Sequence, residues 1–409
     1  MKNFRSHFAG TLVPLVLAML LTTPATGQTE SVLYTFSGGS DGGNPYAGPI
    51  LDSKGNLYGT AVYGGVYNYG AVFELSPAAN GQWTETVLHS FNFDGQDGIR
   101  PYSSLMMDLS GNLYGTTNIG GTFALGTVFK IHPNSDGSWS ETILHSFNAD
   151  GTDGYNPYSN LIFDKQGNLY GTTYAGGNLG EGVVFQLSKK NGIWREQVIH
   201  SFNYTDGAAP YGGLVMDSKG FFYGATSYGG TYQHGVVFAL KLGSSGAWTE
   251  SVLHSFNPSS EGYLPYAGLV IDKAGHLYGT TLYGGTKGFS GAVFELGEVP
   301  GLWGETVIHS FIDGQDGINP YGPLAIDASG NLYGTTFQSL IGNVGGGGIV
   351  FKLSRTSPVV WEETILHNFV NPGDAGNPYS GVAVDTAGNI YGTSWYGGTA
   401  FGVVFQVTP

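Results

Sequence analysis

The sequence predicts an all-β fold, a seven-bladed β-propeller of four-stranded antiparallel blades, and three observations carry that reading. One hexad, Gly55-Asn56-Leu57-Tyr58-Gly59-Thr60, returns with its tyrosine at 58, 114, 170, 223, 278, 333 and 391, so that copies lie 56, 56, 53, 55, 55 and 58 residues apart. A repeat of this period marks a propeller, solenoid or array. Each unit also holds four short strand patterns and no helical periodicity. The last unit, finally, stops after three strands, and its missing fourth stands at the other end of the chain.

Taken in order, residues 1–27 read as a secretory signal. Lys2 and Arg5 form a basic start, residues 8–21 an apolar stretch, and Ala25-Thr26-Gly27 a small-residue cleavage site. The apolar stretch contains Pro14 and falls short of the roughly 20 residues that span a bilayer. Residues 28–409 then form one propeller domain. In a sample unit the first strand covers 47–52, and a turn from Asp52 leads to the second at 56–62. A loop of glycines and aromatics fills 63–70, the third strand covers 71–76, and the fourth 83–91. Residues 92–101 lead to Tyr102 and the next unit.

The end of the chain decides between ring and solenoid. Residues 29–36 align with the fourth strand at 249–256, so the N-terminal strand completes the last blade. A ring gains by losing an unpaired edge, whereas an open solenoid would want polar caps.

Composition narrows the function. With 69 glycines, 14% aromatics and 11% charged residues, the chain suits turn-rich β-structure, because the glycines recur at fixed places beside Val, Ile and Phe. Net charge is −15, and loss of Lys2 and Arg5 with the signal takes it to −17. Nucleic acid and anionic membrane surfaces are excluded as partners on those grounds. The absence of cysteine excludes thiol chemistry and Cys-ligated metals.

Most repeated residues read as structural. Asp52, Asp108, Asp164, Asp217, Asp272, Asp327 and Asp385 precede a turn and a glycine, where a carboxylate accepts backbone N–H groups. The tyrosine-glycine pair suits close packing between blades, and the third-strand row of Phe73, Phe129, Phe185, Phe238, Phe294, Phe351 and Phe405 suits a core. His89, His145, His200, His254, His309 and His367 share one place on successive outer strands, too far apart to meet on one ion. The glutamates at 30, 85, 141, 196, 250, 305 and 363 read as a solvated outer face.

Candidate binding residues fall on the face bearing the long loops. The inter-blade loops place an acid four residues before a Pro-Tyr pair, which predicts a rim of carboxylates and tyrosines around the channel mouth. Asp97, Asp153 and Asp316 with Tyr102, Tyr158 and Tyr321 are the candidates there. Tyr228 and Trp395 join them from the other loops. Carboxylates would accept sugar hydroxyls and aromatic faces would stack on sugar rings. Calcium is the one ion weighed, but two acids per loop fall below the 6–8 oxygens it takes, so no metal or other cofactor is assigned. Arg100, Glu181, His234, Lys287 and the loop at 339–348 break the repeat without forming a catalytic set. The expectation is a monomeric, secreted, non-catalytic binding or scaffold module for a glycan or cell-envelope partner. The alternatives are a polysaccharide-active enzyme using carboxylates at the mouth, or a purely structural envelope protein.

The linked motifs Asn168-Leu169-Tyr170-Gly171-Thr172-Thr173, Gly182-Val183-Val184-Phe185-Gln186-Leu187 and Asn156-Pro157-Tyr158, repeated over residues 29–409, resemble the GloVer (Gloeo/Verruco) tandem-repeat family of exported bacterial proteins. The resemblance implies export and a surface or extracellular location, and it supplies no functional residues. Members often carry a C-terminal sorting anchor; this sequence ends at Pro409 within the last repeat, so release is expected. The Asp-x-x-Gly-Asn-Leu-Tyr turn is also similar to that of NHL-type propellers.

Overall fold

The computed structural model describes residues 29–286, 289–299, 301–341, 346–370, 374–398 and 400–408, and the expected signal at 1–27 lies outside them. Seven four-stranded antiparallel sheets stand around a central axis as a propeller. In blade 1 the strands are Ile50–Leu51, Leu57–Ala61, Ala71–Pro77 and Trp83–Ser90, hydrogen-bonded in chain order. The first strand is shorter than the sequence suggests, because residues 46–48 turn away from pairing to line the channel. Strand Thr29–Thr35 closes blade 7: it pairs with Val403–Thr408 from Thr29 opposite Thr408 to Thr35 opposite Val403. No helix among the described residues is long and apolar enough to cross a membrane.

The hexad and the aspartate before it do three jobs, and blade 4 departs from the third. Its preceding aspartate accepts the turn amides, as in Ser110 N to Asp108 Oδ1 at 2.8 Å and Asn112 N at 3.0 Å. The far oxygen of Asp108 takes Asn112 Nδ2 at 2.7 Å and the Tyr114 hydroxyl at 3.1 Å. The Asx turn expected from the sequence is therefore present, and it also ties down the tyrosine. The glycine opens space inside its own blade: a Cβ on Gly115 would stand 2.6 Å from Cζ of Phe129, its cross-strand partner. The sequence reading placed that close approach between blades; it lies within one.

The threonine clasps the next blade. Thr60 Oγ1 donates to Ser103 O, Thr116 to Ser159 O, and Thr393, across the closure, to Ala47 O, each at 3.0 Å. Blade 4 has Ala225 there, and Ser227 Oγ instead reaches Pro265 O at 2.9 Å. Apolar burial concentrates in the same seams. Tyr58, Val72, Leu88 and Phe91 of blade 1 pack with Leu105, Leu113, Phe129 and Ile131 of blade 2. Phe91 meets Phe129 edge-on at 5.2 Å, and Phe36 repeats that contact with Phe73 at 5.1 Å where the ring closes. Edge-to-face pairs of this kind add about 0.5–1.5 kcal/mol each beyond area burial.

Every outer strand carries a β-bulge. In blade 1, Phe73 faces Val87 but Val72 faces His89, leaving Leu88 as the extra residue. A bulge reverses which face the following side chain takes. Glu85 therefore faces the seam behind its blade and His89 the seam ahead.

Candidate functional site

Seven tyrosines, Tyr46, Tyr102, Tyr158, Tyr211, Tyr266, Tyr321 and Tyr379, meet at the channel axis. Their ring centroids lie 3.9–5.5 Å from one neighbour to the next, forming a closed circle. With Ser104, Asn160, Gly213 and neighbouring residues they line a narrow cavity of about 80 Å³. Burial above all, then the Tyr63 hydroxyl, pushes Tyr102 up to about 12, so the ring stays neutral.

Backbone geometry sends these tyrosines inward. The residue before each Pro-Tyr pair is left-handed, with φ of 52° at Asn44, 57° at Arg100, 54° at Asn156 and 58° at Leu264. Asparagine tolerates this conformation best, and where present it spans blades: Asn44 Nδ2 donates to Trp395 O at 2.9 Å and Asn377 Nδ2 to Phe337 O at 3.0 Å. Arg100 stands in that position in blade 2, exposed, its guanidinium 5.8 Å from the Tyr63 ring.

Symmetry breaks immediately above the circle. The residue two places after the hexad is Val62, Asn118, Tyr174, Ser227, Leu282, Phe337 and Trp395 in blades 1 to 7. Large rings occupy it on neighbouring blades 6 and 7. Phe337 lies 4.6 Å from Tyr379, and Trp395 stands edge-on to Tyr379 at 5.8 Å, Tyr46 at 6.1 Å and Tyr63 at 6.0 Å. Phe337, Trp395 and Tyr63 are all half-buried, so they form a crescent partly open to solvent. Tyr174 lies separately, tilted against Tyr211 at 4.7 Å. Tyr228 is 42% exposed on blade 4 and does not join the crescent. Lys287 and residues 342–345 of the expanded loop lie outside the described residues.

The acids do not join the tyrosines. Asp97, Asp153 and Asp316 are 5%, 5% and 7% exposed and face outward into the seams, not the channel mouth. Each meets the histidine of the preceding outer strand: His89 Nε2 to Asp97 Oδ2 at 3.2 Å, His145 to Asp153 at 3.0 Å, and His309 to Asp316 at 3.1 Å. The left-handed residue and proline between acid and tyrosine turn the chain, so four intervening residues carry it from the outer seam to the axis. The expected carboxylate rim is thus corrected to buried seam acids. Asp94 and Asp150 remain exposed turn acids, each accepting amides two and three residues ahead.

The glutamate row is corrected as well: it is not a solvated face. Glu141 is 13% exposed and lies 3.7 Å from His89 of the preceding blade, beside Asp97. Burial first, then the facing Asp97, raises Glu141 to about 9. Burial first and the facing acid second raise Glu85 and Glu250 to about 7, and burial with a hydrogen bond to Glu261 raises Glu305 to about 8. Histidines of different blades do stay apart, as expected. What sequence reasoning missed is that four of these histidines, His89, His200, His254 and His309, meet acids from two other elements across one seam. Co-recurrence of the His, acid and Glu rows in one register was the available signal.

Comparison with known proteins completes the picture. The Gloeobacter/Verrucomicrobia repeat matches residues 19–218, 135–270 and 215–409. No curated protein matches the chain. Among solved structures, the chain is similar to the extracellular domain of a putative one-component system from B. thetaiotaomicron, with TM-score 0.52, 12% identity and 93% of this chain covered. PorZ, a surface component of the type-IX secretion system of Porphyromonas gingivalis, aligns at TM-score 0.45 and 13% identity over 83% of this chain. The chain spans only 40% and 44% of those two longer chains. At such identity the first likeness speaks for the fold. The repeat, matched from residue 19 to the last residue and built here into seven like blades, settles the family: the chain belongs to the Gloeobacter/Verrucomicrobia repeat family.

Proposed function

We propose that this protein is an exported, non-catalytic binding module that takes a glycan on its loop face, across the aromatic crescent of Phe337, Trp395 and Tyr63. The observation that supports this reading is the break in symmetry at the mouth. Large rings gather on adjacent blades 6, 7 and 1 above a floor of tyrosines that includes Tyr102 and Tyr321. A packing role alone would repeat sevenfold. Half-exposed aromatic rings offer an apolar face to sugar C–H groups while their polar edges stay wet, and the exposed Arg100 beside Tyr63 suits hydroxyl or carboxylate oxygens. The channel cavity carries no carboxylate among the described residues lining it, so the floor beneath the crescent offers rings and hydroxyls.

A glycan array with the purified protein tests this. Trp395→Ala and Tyr63→Ala should each weaken the best hit about tenfold, from about 1–1.5 kcal/mol per stacked ring. Leu179→Ser, at an exposed blade 3 loop, should leave it unchanged. A blank array, binding indifferent to both crescent variants, or turnover of the bound sugar would each overturn the proposal.

A further inference from the structure

At four blade seams the histidine, the loop acid and the next blade's glutamate converge, and we propose that these seams bind divalent ions of the zinc class. The clusters among the described residues are His89, Asp97 and Glu141; His200, Asp206 and Glu250; His254, Glu261 and Glu305; and His309, Asp316 and Glu363. One nitrogen and two oxygens, from three separate elements, lie within 4.8 Å of one another in each.

The spacing fits an ion. Ligand atoms at about 2.0–2.1 Å from a tetrahedral centre stand roughly 3.3–3.4 Å apart. His89 Nε2 is 3.2 Å from Asp97 and 3.7 Å from Glu141, and His309 Nε2 is 3.1 Å from Asp316 and 3.8 Å from Glu363. Small side-chain shifts would complete the three-ligand set, with water in the fourth position. The imidazoles are already oriented by edge-on contacts to Phe91 and Phe311, both at 4.8 Å. An imidazole with two carboxylates falls short of the oxygen-rich shell calcium takes and suits zinc-class ions.

A second, independent observation concerns the same side chains: the carboxylates that face His89 through Asp97 Oδ2 and Glu141 Oε2 leave their other oxygens unpartnered. The Asp97 side chain is 5% exposed, and its Oδ1 is buried with no hydrogen-bond partner. Glu141, Glu250, Glu305 and Glu363 each bury an Oε1 in the same state. Buried carboxylate oxygens without donors are costly, and a cation supplies what is missing. Access exists as well: the fourth cluster opens to a surface cavity lined by His309, Asp316, Gln315 and Trp361. Glu30, Glu85 and Glu196, in the remaining seams, bury an unpartnered Oε1 as well, so what sets the four clusters apart is the histidine within reach of both acids, and the closing seam lacks it. There Tyr34 replaces the histidine and its hydroxyl donates to Asp41 at 3.1 Å, satisfying the acid with a donor in place of a ligand.

The test uses the full exported chain, stripped with a chelator and dialysed against zinc chloride, with bound metal measured directly and melting followed alongside. About four equivalents and a rise in melting temperature are expected, while calcium and magnesium chloride give neither. Glu141→Gln, which keeps the side-chain shape, should remove one equivalent, and His309→Gln another. Binding below one equivalent overturns the proposal. So does a full complement that both variants retain, which would place the metal elsewhere. A melting temperature that follows pH and ignores zinc would mean that protons alone occupy the seams, and overturns it too.

Discussion

Phe36→Ala probes the seam at which the two ends of the described chain meet. The Phe36 ring is completely buried and packs edge-on to Phe73 at 5.1 Å, among Leu57, Leu75, Tyr391 and Val404. Truncating a buried phenylalanine costs about 3–5 kcal/mol. The unfolding entropy of a chain of this length is about 0.8 kcal/mol per degree, so the melting temperature should fall by about 4–6 °C. Phe202→Ala removes the same contact from inside the ring, where Phe202 meets Phe238 at 5.1 Å, and should cost as much at equilibrium. Connectivity separates the two. Strand Thr29–Thr35 is held to the ring by its pairing with Val403–Thr408 and by Phe36 itself, whereas the chain continues into strands on both sides of Phe202. Amide exchange of Thr29–Thr35 should therefore accelerate in Phe36→Ala by local opening and stay slow in Phe202→Ala. Calorimetry and native-state hydrogen exchange give both readouts. A melting change under about 1 °C, well below the expected shift, or equal exchange of the closing strand in the two variants, would refute the reasoning.

Three further outcomes follow from the blade design. Gly115→Ala puts a methyl 2.6 Å from Phe129 Cζ and 3.2 Å from Leu105; it should cost about 1–3 kcal/mol in denaturant melts, and Phe129→Leu in the same chain should recover part of it. Asp108→Ala should cost more than Asp217→Ala, by about 1 kcal/mol, because Asp108 also holds Asn112 Nδ2 whereas blade 4 has Phe221 there; equal losses would mean the extra bond contributes nothing. Glu85, raised to about 7 by burial and then by Asp41, holds its proton in the folded state well above the usual glutamate range of 4.5. The folded state then binds more protons between those values, so this seam's contribution is present at low pH and lost as pH rises through about 7. Glu85→Gln should flatten the fall in melting temperature over that window, and an unchanged slope would assign the pH dependence to other groups.

How much of this was legible depended on distance along the chain. Asp108, Asn112 and Tyr114 lie within six residues, so their turn could be read directly, and sevenfold recurrence made the Phe129 row recognisable as core. Blade count and closure followed from the hexad and from the match between 29–36 and 249–256. The seams were not legible, for two physical reasons. The bulge at Leu88 carries no clear residue signature, and without it strict alternation puts Glu85 and His89 on one face. The other reason is the left-handed residue before proline, which sends Asp97 and Tyr102 to opposite ends of the blade although they sit in one loop. Arg100, Ala209 and Leu264 adopt that conformation without the asparagine that would have announced it.

The pairing of Thr29 with Thr408 has a consequence for how the chain could be rewired. Because the first and last described strands are neighbours in one sheet, the point at which the polypeptide enters the circle is a matter of where it was cut. A circular permutant joining Thr408 to Thr29 through a short linker, and opened in the exposed hairpin at residues 134–138, would keep every ladder of the present sheets. Its fourth strand in blade 2 would then serve as the closing strand, with Phe147 against Phe185 doing what Phe36 and Phe73 do now. Such a rearrangement moves both termini to another sector of the rim while leaving the mouth and its crescent in place, which makes the orientation of the loop face relative to any fused partner adjustable blade by blade.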